Sequence, residues 1–142
     1  MVTVDASVLV AAGARDDLAH TDSLTFLRAV LLTGSPIHQP TLSLVEVSAV
    51  IARRTDDAGL AREAGSRLLR MPGLILHPLD TQSAAEAAVL AGRARLRGAD
   101  AVYAATALRH GTVLVTLDEE LLTRTSVIVD AMTPSEWLSA HP

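Results

Sequence analysis

The sequence predicts an α/β fold with a mostly parallel sheet whose two faces are both covered by helices. Short strand-like runs alternate with longer helical segments along the 142 residues, an order that is typical of parallel sheets. Each strand-like run is apolar at consecutive positions, which indicates burial on both sides of the pleat. The chain has no repeats, no low-complexity tract and no linker, so we expect residues 1–142 to form a single domain.

Five runs are candidates for the strands of this sheet. The β-branched start VTVD and the run TVLVTL are the clearest, and the other three are short runs bounded mainly by Pro, Gly or polar residues. The five runs are 2–5, 37–39, 74–77, 112–117 and 127–129.

Eight segments between and after these runs have the composition and periodicity of helices. They are Ala6–Ala12, Asp17–Leu32, Thr41–Arg54, Gly59–Leu69, Thr81–Leu96, Ala99–His110, Asp118–Thr123 and Pro134–Ser139. Gly34, Gly98 and Gly111 follow three of them, where glycine commonly ends a helix. Trp137 is expected to anchor the last helix on the core.

Composition and charge exclude several classes of function. The formal net charge of −4 does not suit a protein that binds nucleic acid over its whole surface. All twelve basic residues are Arg, so a Schiff-base or phosphate-binding lysine is excluded, and the absence of Cys excludes disulfides and thiolate metal sites. With no basic leader and no apolar run long enough to span a bilayer, we expect a cytoplasmic protein that does not contact membranes.

Four carboxylates carry the most chemical information. Asp5 follows the first strand and Asp118 follows VLVTL, so both are expected where ligands bind in parallel sheets, beyond the carboxyl ends of the strands. Asp100 begins the helix ADAVYAATAL. Glu46 interrupts the apolar segment SLVEVSAVIA, where an unpartnered ionised carboxylate would be very costly.

Helix capping is the alternative explanation for these acids. Asp5, Asp100 and Asp118 each occupy a position where Asp commonly caps a helix, worth about 1 kcal/mol. Ser43-x-x-Glu46 also matches a capping box. A helix that begins at Pro40 or Thr41 would instead put Glu46 beyond its first turn, on an apolar stripe that faces inward. Capping therefore explains three of the acids well and Glu46 poorly.

If the four acids converge, their charges need compensation. At separations of about 5–6 Å each ionised pair repels by roughly 3 kcal/mol, so the group must take up protons or hold a divalent cation. An all-oxygen ligand set suits Mg²⁺ or Mn²⁺, and such an ion activates water for attack on a phosphodiester. The five histidines are scattered along the sequence, and we interpret none of them as a ligand.

Four motifs in this order resemble the PIN-domain ribonucleases, and most closely the VapC-type toxins of toxin–antitoxin pairs. The motifs are VDASVLV, LVEVSAVIAR, RGADAVYAATALRHG and VLVTLDEELL, and the resemblance extends from Val2 to about Val129. It implies a three-layer fold with a five-stranded parallel sheet between helices. It also implies a metal-dependent endoribonuclease that acts in a type II toxin–antitoxin pair, with Mg²⁺ or Mn²⁺ as cofactor.

The resemblance assigns roles to individual residues and partners. Asp5, Asp100 and Asp118 match metal ligands, and Glu46 matches the glutamate that binds at the rim or orients the attacking water. Ser7 and Thr116 match hydroxyl positions that support the site. The resemblance further implies an RNA substrate, cleavage to a 5′-phosphate and a 3′-hydroxyl, an antitoxin partner and a homodimer. Glu119 and Glu120 depart from the common pattern and make Asp118 the least certain ligand.

Arginines near the acids are candidates for contact with RNA phosphates. Arg97 precedes Asp100, and Arg53 with Arg54 follows Glu46 by two turns. Their alternative role is compensation of helix dipoles at helix ends. Tyr103 is expected to be a core residue rather than a base-stacking one.

Other functions fit the sequence less well. A haloacid-dehalogenase-like phosphatase needs D-x-D after the first strand, and a phosphoreceiver domain needs paired acids there; both need a lysine. A PIN fold that has lost catalysis and only binds RNA or a protein remains the alternative.

Overall fold

Five parallel strands form one sheet in the computed structural model, which describes residues 1–142. The strands are β1 (Val2–Val4), β2 (Ile37–Pro40), β3 (Leu74–His77), β4 (Val113–Val115) and β5 (Ala131–Met132). Their order across the sheet is β3-β2-β1-β4-β5, and every neighbouring pair is parallel. The predicted fold class, a mostly parallel five-stranded sheet flanked by helices, is confirmed.

Eight helices join or follow the strands. They are α1 (Ala6–Gly13), α2 (His20–Leu32), α3 (Leu42–Thr55), α4 (Ala58–Leu69), α5 (Thr81–Ala94), α6 (Gly98–His110), α7 (Glu119–Thr125) and α8 (Pro134–Ala140). None of these helices is both long enough and apolar enough to cross a membrane.

The core lies on both faces of the sheet, as the apolar strands predict. Val2 and Val4 of β1 pack in a cluster with side chains of α2 and α8. Thr3, between them, points to the other face, where its Oγ1 lies 2.6 Å from Oγ1 of Thr112. That face is covered by a larger cluster built mainly on α5 and α6, which includes Leu114 of β4. The alternation along one central strand therefore supplies both layers.

The prediction of a strand at 127–129 is wrong. These residues form turns in which the amides of Ile128 and Val129 donate to the carbonyl of Thr125, at 2.7 and 3.0 Å. Val129 inserts into the core, whereas Val127 is 92% exposed. Pairing of the last strand with β4 begins instead at Asp130, whose carbonyl accepts from the amide of Leu114. The apolar run at 127–129 therefore lies in the turns that follow α7, and its Val129 packs in the core.

Gly98 was also misplaced, because it begins α6 instead of ending α5. The helix α5 ends at Ala94, and the next residue, Arg95, caps it in the left-handed conformation at φ 55°. That conformation costs a non-glycine residue about 1–2 kcal/mol. It is offset because the Leu96 amide bonds to the Ala91 carbonyl at 3.1 Å and the Leu96 side chain is buried in the core. Gly111, at φ 58°, does end α6 as predicted.

The start of α2 differs as well. The helix begins at His20 instead of Asp17, because the Asp17 carboxylate accepts from the amide of Ala19 at 3.0 Å and forms a local turn.

Trp137 anchors α8, as predicted. Its ring meets the ring of Phe26 edge-on, with centroids 5.1 Å apart at 78°, and it is 5% exposed. We therefore expect Trp137→Ala to lower the free energy of unfolding by about 3–5 kcal/mol. Urea denaturation followed by circular dichroism measures this, since the variant loses the only tryptophan. Val127→Ala, at an exposed site, should change the stability by less than about 0.5 kcal/mol; equal losses in both variants would contradict the anchor.

Candidate active site

The carboxylate of Asp5 is held at the end of β1 by two hydroxyls. Its Oδ2 accepts hydrogen bonds from Ser7 Oγ at 2.5 Å and from Thr116 Oγ1 at 2.8 Å. The same hydroxyls accept from the backbone beyond β4: Ser7 Oγ from the Leu117 amide at 3.2 Å, and Thr116 Oγ1 from the Asp118 amide at 3.0 Å. The two hydroxyls therefore fix Asp5 relative to the segment that follows β4.

Asp118 and Asp100 lie at the amino-terminal ends of two helices, α7 and α6, and their carboxylates are directed at the same arginine. Asp118 caps α7, with Oδ1 accepting from the amides of Glu120 and Leu121 at 2.8 and 3.0 Å, which leaves Oδ2 directed elsewhere. Asp100 lies in the first turn of α6. Both carboxylates reach Arg97: its Nε lies 3.0 Å from Asp100 Oδ2, and its Nη2 lies 2.5 Å from Asp118 Oδ2.

Glu46 joins these residues from α3. The helix begins at Leu42, so Glu46 lies beyond the first turn, and the Ser43 hydroxyl bonds to the Pro40 carbonyl instead of capping the helix. Oε2 of Glu46 is buried and, like the Tyr103 hydroxyl that faces Glu46, makes no hydrogen bond of standard geometry. Glu46 therefore brings to the group a carboxylate that has no cationic partner.

The four acids line one cavity of about 400 Å³. The capping alternative therefore holds for Asp118 alone, since the side chain of Asp5 makes no cap bond and Asp100 lies inside the helix. The structure brings all four predicted site residues together, with Ser7 and Arg97 on the cavity wall and Thr116 behind Asp5. Their catalytic roles remain predictions.

Burial and like charge disturb the ionisation of two of these acids. Burial raises the pKa of Glu46, and the charges of Asp5 and Asp100 raise it further, while the facing hydroxyl of Tyr103 opposes them. Burial also raises the pKa of Asp100, against the opposing effect of Arg97. Tyr103 itself is fully buried, as expected of a core residue, and burial beside Glu46 raises the pKa of its hydroxyl.

The cavity keeps an excess of negative charge. Its wall carries five carboxylates and two guanidinium groups, a formal excess of three negative charges when all are ionised. Arg97 is the cation that pairs with two of the four acids; its side chain is 64% exposed and also lies 3.8 Å from Glu120. The oxygen donors and the charge excess both fit a divalent cation that prefers oxygen ligands.

One charged residue of the wall, Asp17, was not assigned to the site from the sequence. Asp17 precedes α2, and its Oδ2 pairs with Nη1 of Arg54 at 3.4 Å. Asp17 carried no signal beyond its charge. Of the two arginines proposed at the rim, Arg54 lies on the wall, whereas Arg53 is exposed and does not line the cavity. The two arginines are consecutive on α3 and therefore point in different directions around the helix axis. The sequence did not show which of them faces the cavity.

The histidines are less scattered than the sequence suggests. Three of the five, His38, His77 and His110, come together on β2, β3 and the end of α6. They do not line the acidic cavity.

A parallel sheet with carboxylates gathered beyond the ends of two central strands defines the class, an α/β protein with an acidic site. The chain belongs to the PIN domain family, whose model matches residues 2–132. Proteins of this family are generally nucleases that need divalent metals.

Solved structures from several organisms share the fold. PAE2754 from Pyrobaculum aerophilum matches with a TM-score of 0.70 and 24% identity, over 98% of this chain and 93% of its own. The FitAcB structure from Neisseria gonorrhoeae matches with a TM-score of 0.72 and 19% identity, over 95% and 99%. VapC20 from Mycobacterium tuberculosis, described as a toxin that cleaves the sarcin-ricin loop, matches with 0.71 and 16%, over 87% and 94%. No curated protein sequence matches the chain.

The raised pKa of Glu46 makes stability depend on pH. A carboxyl group with a higher pKa in the folded state than in the unfolded one stabilises the fold at low pH, and this contribution is lost as pH rises through the folded-state value. We therefore expect metal-free Glu46→Gln to be more stable than wild type at pH 7.5. The difference should shrink as pH falls to the ordinary value of 4.5 and below.

Urea denaturation in EDTA at several pH values measures this effect. Glu119→Gln, which changes an exposed acid outside the cavity wall, serves as the control. A Glu46→Gln variant that is no more stable than wild type at any pH would contradict the electrostatic strain.

Proposed function

We propose that this PIN domain is a metal-dependent endoribonuclease and the toxin of a type II toxin–antitoxin pair. The observation that carries the proposal is the convergence of four carboxylates, those of Asp5, Glu46, Asp100 and Asp118, on one cavity with an excess of negative charge. A catalytically inactive binding module has no need to keep such an unfavourable arrangement. Membership in a family of nucleases supports the same conclusion.

Asp5, Asp100 and Asp118 are the proposed metal ligands. Asp5 is oriented by Ser7 and Thr116, so its free Oδ1 has little freedom to turn away. Asp118 keeps Oδ2 free of backbone contacts because Oδ1 caps α7. When bound, Mg²⁺ or Mn²⁺ lowers the pKa of water and neutralises charge on a phosphoryl oxygen.

Glu46 is the proposed acceptor of the proton from the attacking water. Its raised pKa makes it a stronger base than an exposed carboxylate, and a base works best when its pKa approaches the working pH. The buried Tyr103 hydroxyl, which faces Glu46, limits how far the carboxylate can turn. In-line attack on the phosphodiester leaves a 5′-phosphate and a 3′-hydroxyl.

Arg97 is the proposed contact for the RNA phosphate. It now pairs with Asp100 and Asp118, the same carboxylates that would hold the cation. Because its side chain is largely exposed, releasing these ion pairs costs little. Arg97 then lies at the rim of the cavity as a free bidentate donor, the geometry that suits a phosphate. At the second rim position we now propose Arg54 in place of Arg53, since Arg54 lines the wall.

An antitoxin is the proposed protein partner. Two of the similar structures are described as a toxin–antitoxin complex from Klebsiella pneumoniae and as VapBC2 from Rickettsia felis bound to promoter DNA. The charge excess of the acidic cavity suits a partner that inserts a basic side chain there. A homodimer and a cytoplasmic location remain predictions from the resemblance.

Cleavage of RNA should require both the metal and Asp5. With purified protein, structured RNAs such as transfer and ribosomal RNA, and MgCl₂ or MnCl₂, we expect site-limited cleavage that EDTA stops. Asp5→Asn should lower the rate by more than about 100-fold, because loss of mere supporting contacts to a metal ligand already costs 10–100-fold. Sequencing of the products should show 5′-phosphates.

Asp130→Asn is the matched control, since it changes an exposed Asp outside the acidic cavity. It should cleave like wild type. Metal-independent cleavage would contradict the metal-dependent mechanism, and RNA binding without any cleavage would favour the inactive binding module over the nuclease.

Toxicity in cells tests the biological part of the proposal. Induced expression of the wild-type chain in a bacterial host should arrest growth, and Asp5→Asn should not. Co-expression of the gene next to the one for this chain should restore growth if it encodes the antitoxin. Arrest by wild type and Asp5→Asn alike would show that growth arrest does not depend on nuclease chemistry.

A further inference from the structure

Three imidazoles meet away from the acidic cavity. His38 is on β2, His77 ends the edge strand β3, and His110 ends α6. One ring nitrogen of each lies within 4.8 Å of the others, and all three residues are partly buried. Nδ1 of His38 and Nε2 of His77 are 2.9 Å apart, within hydrogen-bond distance.

We propose that His38, His77 and His110 form a second metal site, one that takes a transition-metal dication of the Zn²⁺ class. Three nitrogen donors suit Zn²⁺, Ni²⁺ or Cu²⁺, whereas Mg²⁺ prefers oxygen. With Zn–N bonds of about 2.0–2.1 Å and tetrahedral angles, the ligand nitrogens lie about 3.3 Å apart. Binding therefore requires the nitrogens to approach by at most about 1.5 Å and the stacked rings to turn about their side-chain torsions, so that the lone pairs converge.

The protonation state of the rings suits metal binding. A metal ligand must be a neutral imidazole. Burial and the neighbouring charges lower the pKa of His38 and of His77, which favours the neutral form of both rings. The short contact between them requires one facing nitrogen to carry a proton and the other a lone pair. To bind the ion, the donating ring moves its proton to its other nitrogen, so that both facing nitrogens offer lone pairs.

The surroundings leave room for a fourth ligand. His77 and His110 line a cavity of about 270 Å³ that also contains the carboxylates of Asp80 and Glu86. The nearby cation Arg109 is paired with Glu86 at 3.3 Å, which reduces its repulsion of a bound ion. Water from this cavity completes four-coordination, as in sites that have three protein ligands.

The alternative is an aromatic stack without a metal. The rings of His77 and His110 are nearly parallel, with centroids 3.8 Å apart, and His38 lies 4.9 Å from His110. Such a stack would bury apolar ring surface between an edge strand and a helix end. It would not bind an ion with defined stoichiometry. A bound ion, by contrast, would join β2, β3 and α6 through three ligands.

Metal titration of the untagged, EDTA-treated full chain distinguishes these two structures. Zn²⁺ is added in competition with a chromogenic chelator, and Co²⁺ is added to record the visible absorption of a four-coordinate site. We expect one tight Zn²⁺ per chain in the presence of millimolar Mg²⁺, and a rise in melting temperature on Zn²⁺ addition. His77→Asn and His110→Asn should each weaken Zn²⁺ binding at least about 10-fold.

Two controls separate this site from the acidic one. His141→Asn removes an exposed histidine outside the cluster and should leave Zn²⁺ affinity unchanged. Asp5→Asn should also leave it unchanged, so the result does not depend on whether the chain cleaves RNA.

The proposal is overturned if wild type binds no stoichiometric Zn²⁺, or if the cluster variants bind it as wild type does. Circular dichroism of every variant establishes that it is folded. If either single variant does not fold, His38→Gln, on the neighbouring strand, replaces it.

Discussion

The active-site geometry depends on the hydrogen bonds that join the end of β1 to the end of β4. Ser7 and Thr116 both donate to one oxygen of Asp5, and both accept from backbone amides beyond β4. Parallel pairing of the two strands puts their carboxyl ends at the same edge, and the hydroxyls then convert this proximity into a fixed position. The two hydroxyls thus limit the orientations that the Asp5 carboxylate can take relative to the segment after β4.

The site stores electrostatic repulsion that the fold offsets in part. Asp5, Asp100 and Asp118 each lie at the amino-terminal end of a helix, where the helix dipole favours negative charge by about 0.3–1 kcal/mol. Arg97 supplies a full positive charge between two of them. Glu46 has neither a helix end nor a cationic partner, so the remaining strain is concentrated on that residue. This distribution agrees with the raised pKa of Glu46, to which the charges of Asp5 and Asp100 contribute.

The acidic site could be predicted from the sequence because its residues follow rules that are local. Asp5 and Asp118 come directly after strands, and Glu46 interrupts an apolar stripe, so strand order and helix period place them. The histidine cluster follows no such rule, since His38 and His77 depend on the register of β2 with β3 and His110 on the direction of α6. The prediction of the last strand was wrong for the same reason. The apolar residues at 127–129 indicate burial, but only the pairing with β4 decides which residues form the strand.

Helix α6 connects the acidic site and the histidine cluster, the two proposed metal sites. Asp100 lies in its first turn and His110 is its last residue, so about 15 Å of helix axis separates them. The oxygen donors at one end and the nitrogen donors at the other prefer different ions, because hard Mg²⁺ favours carboxylates and borderline Zn²⁺ favours imidazole. Neither site therefore needs to exclude the other's metal by geometry alone. The middle of α6 is almost fully buried, which keeps both of its ends in a fixed position relative to the sheet. A metal ion bound at either end would therefore act on the same rigid helix.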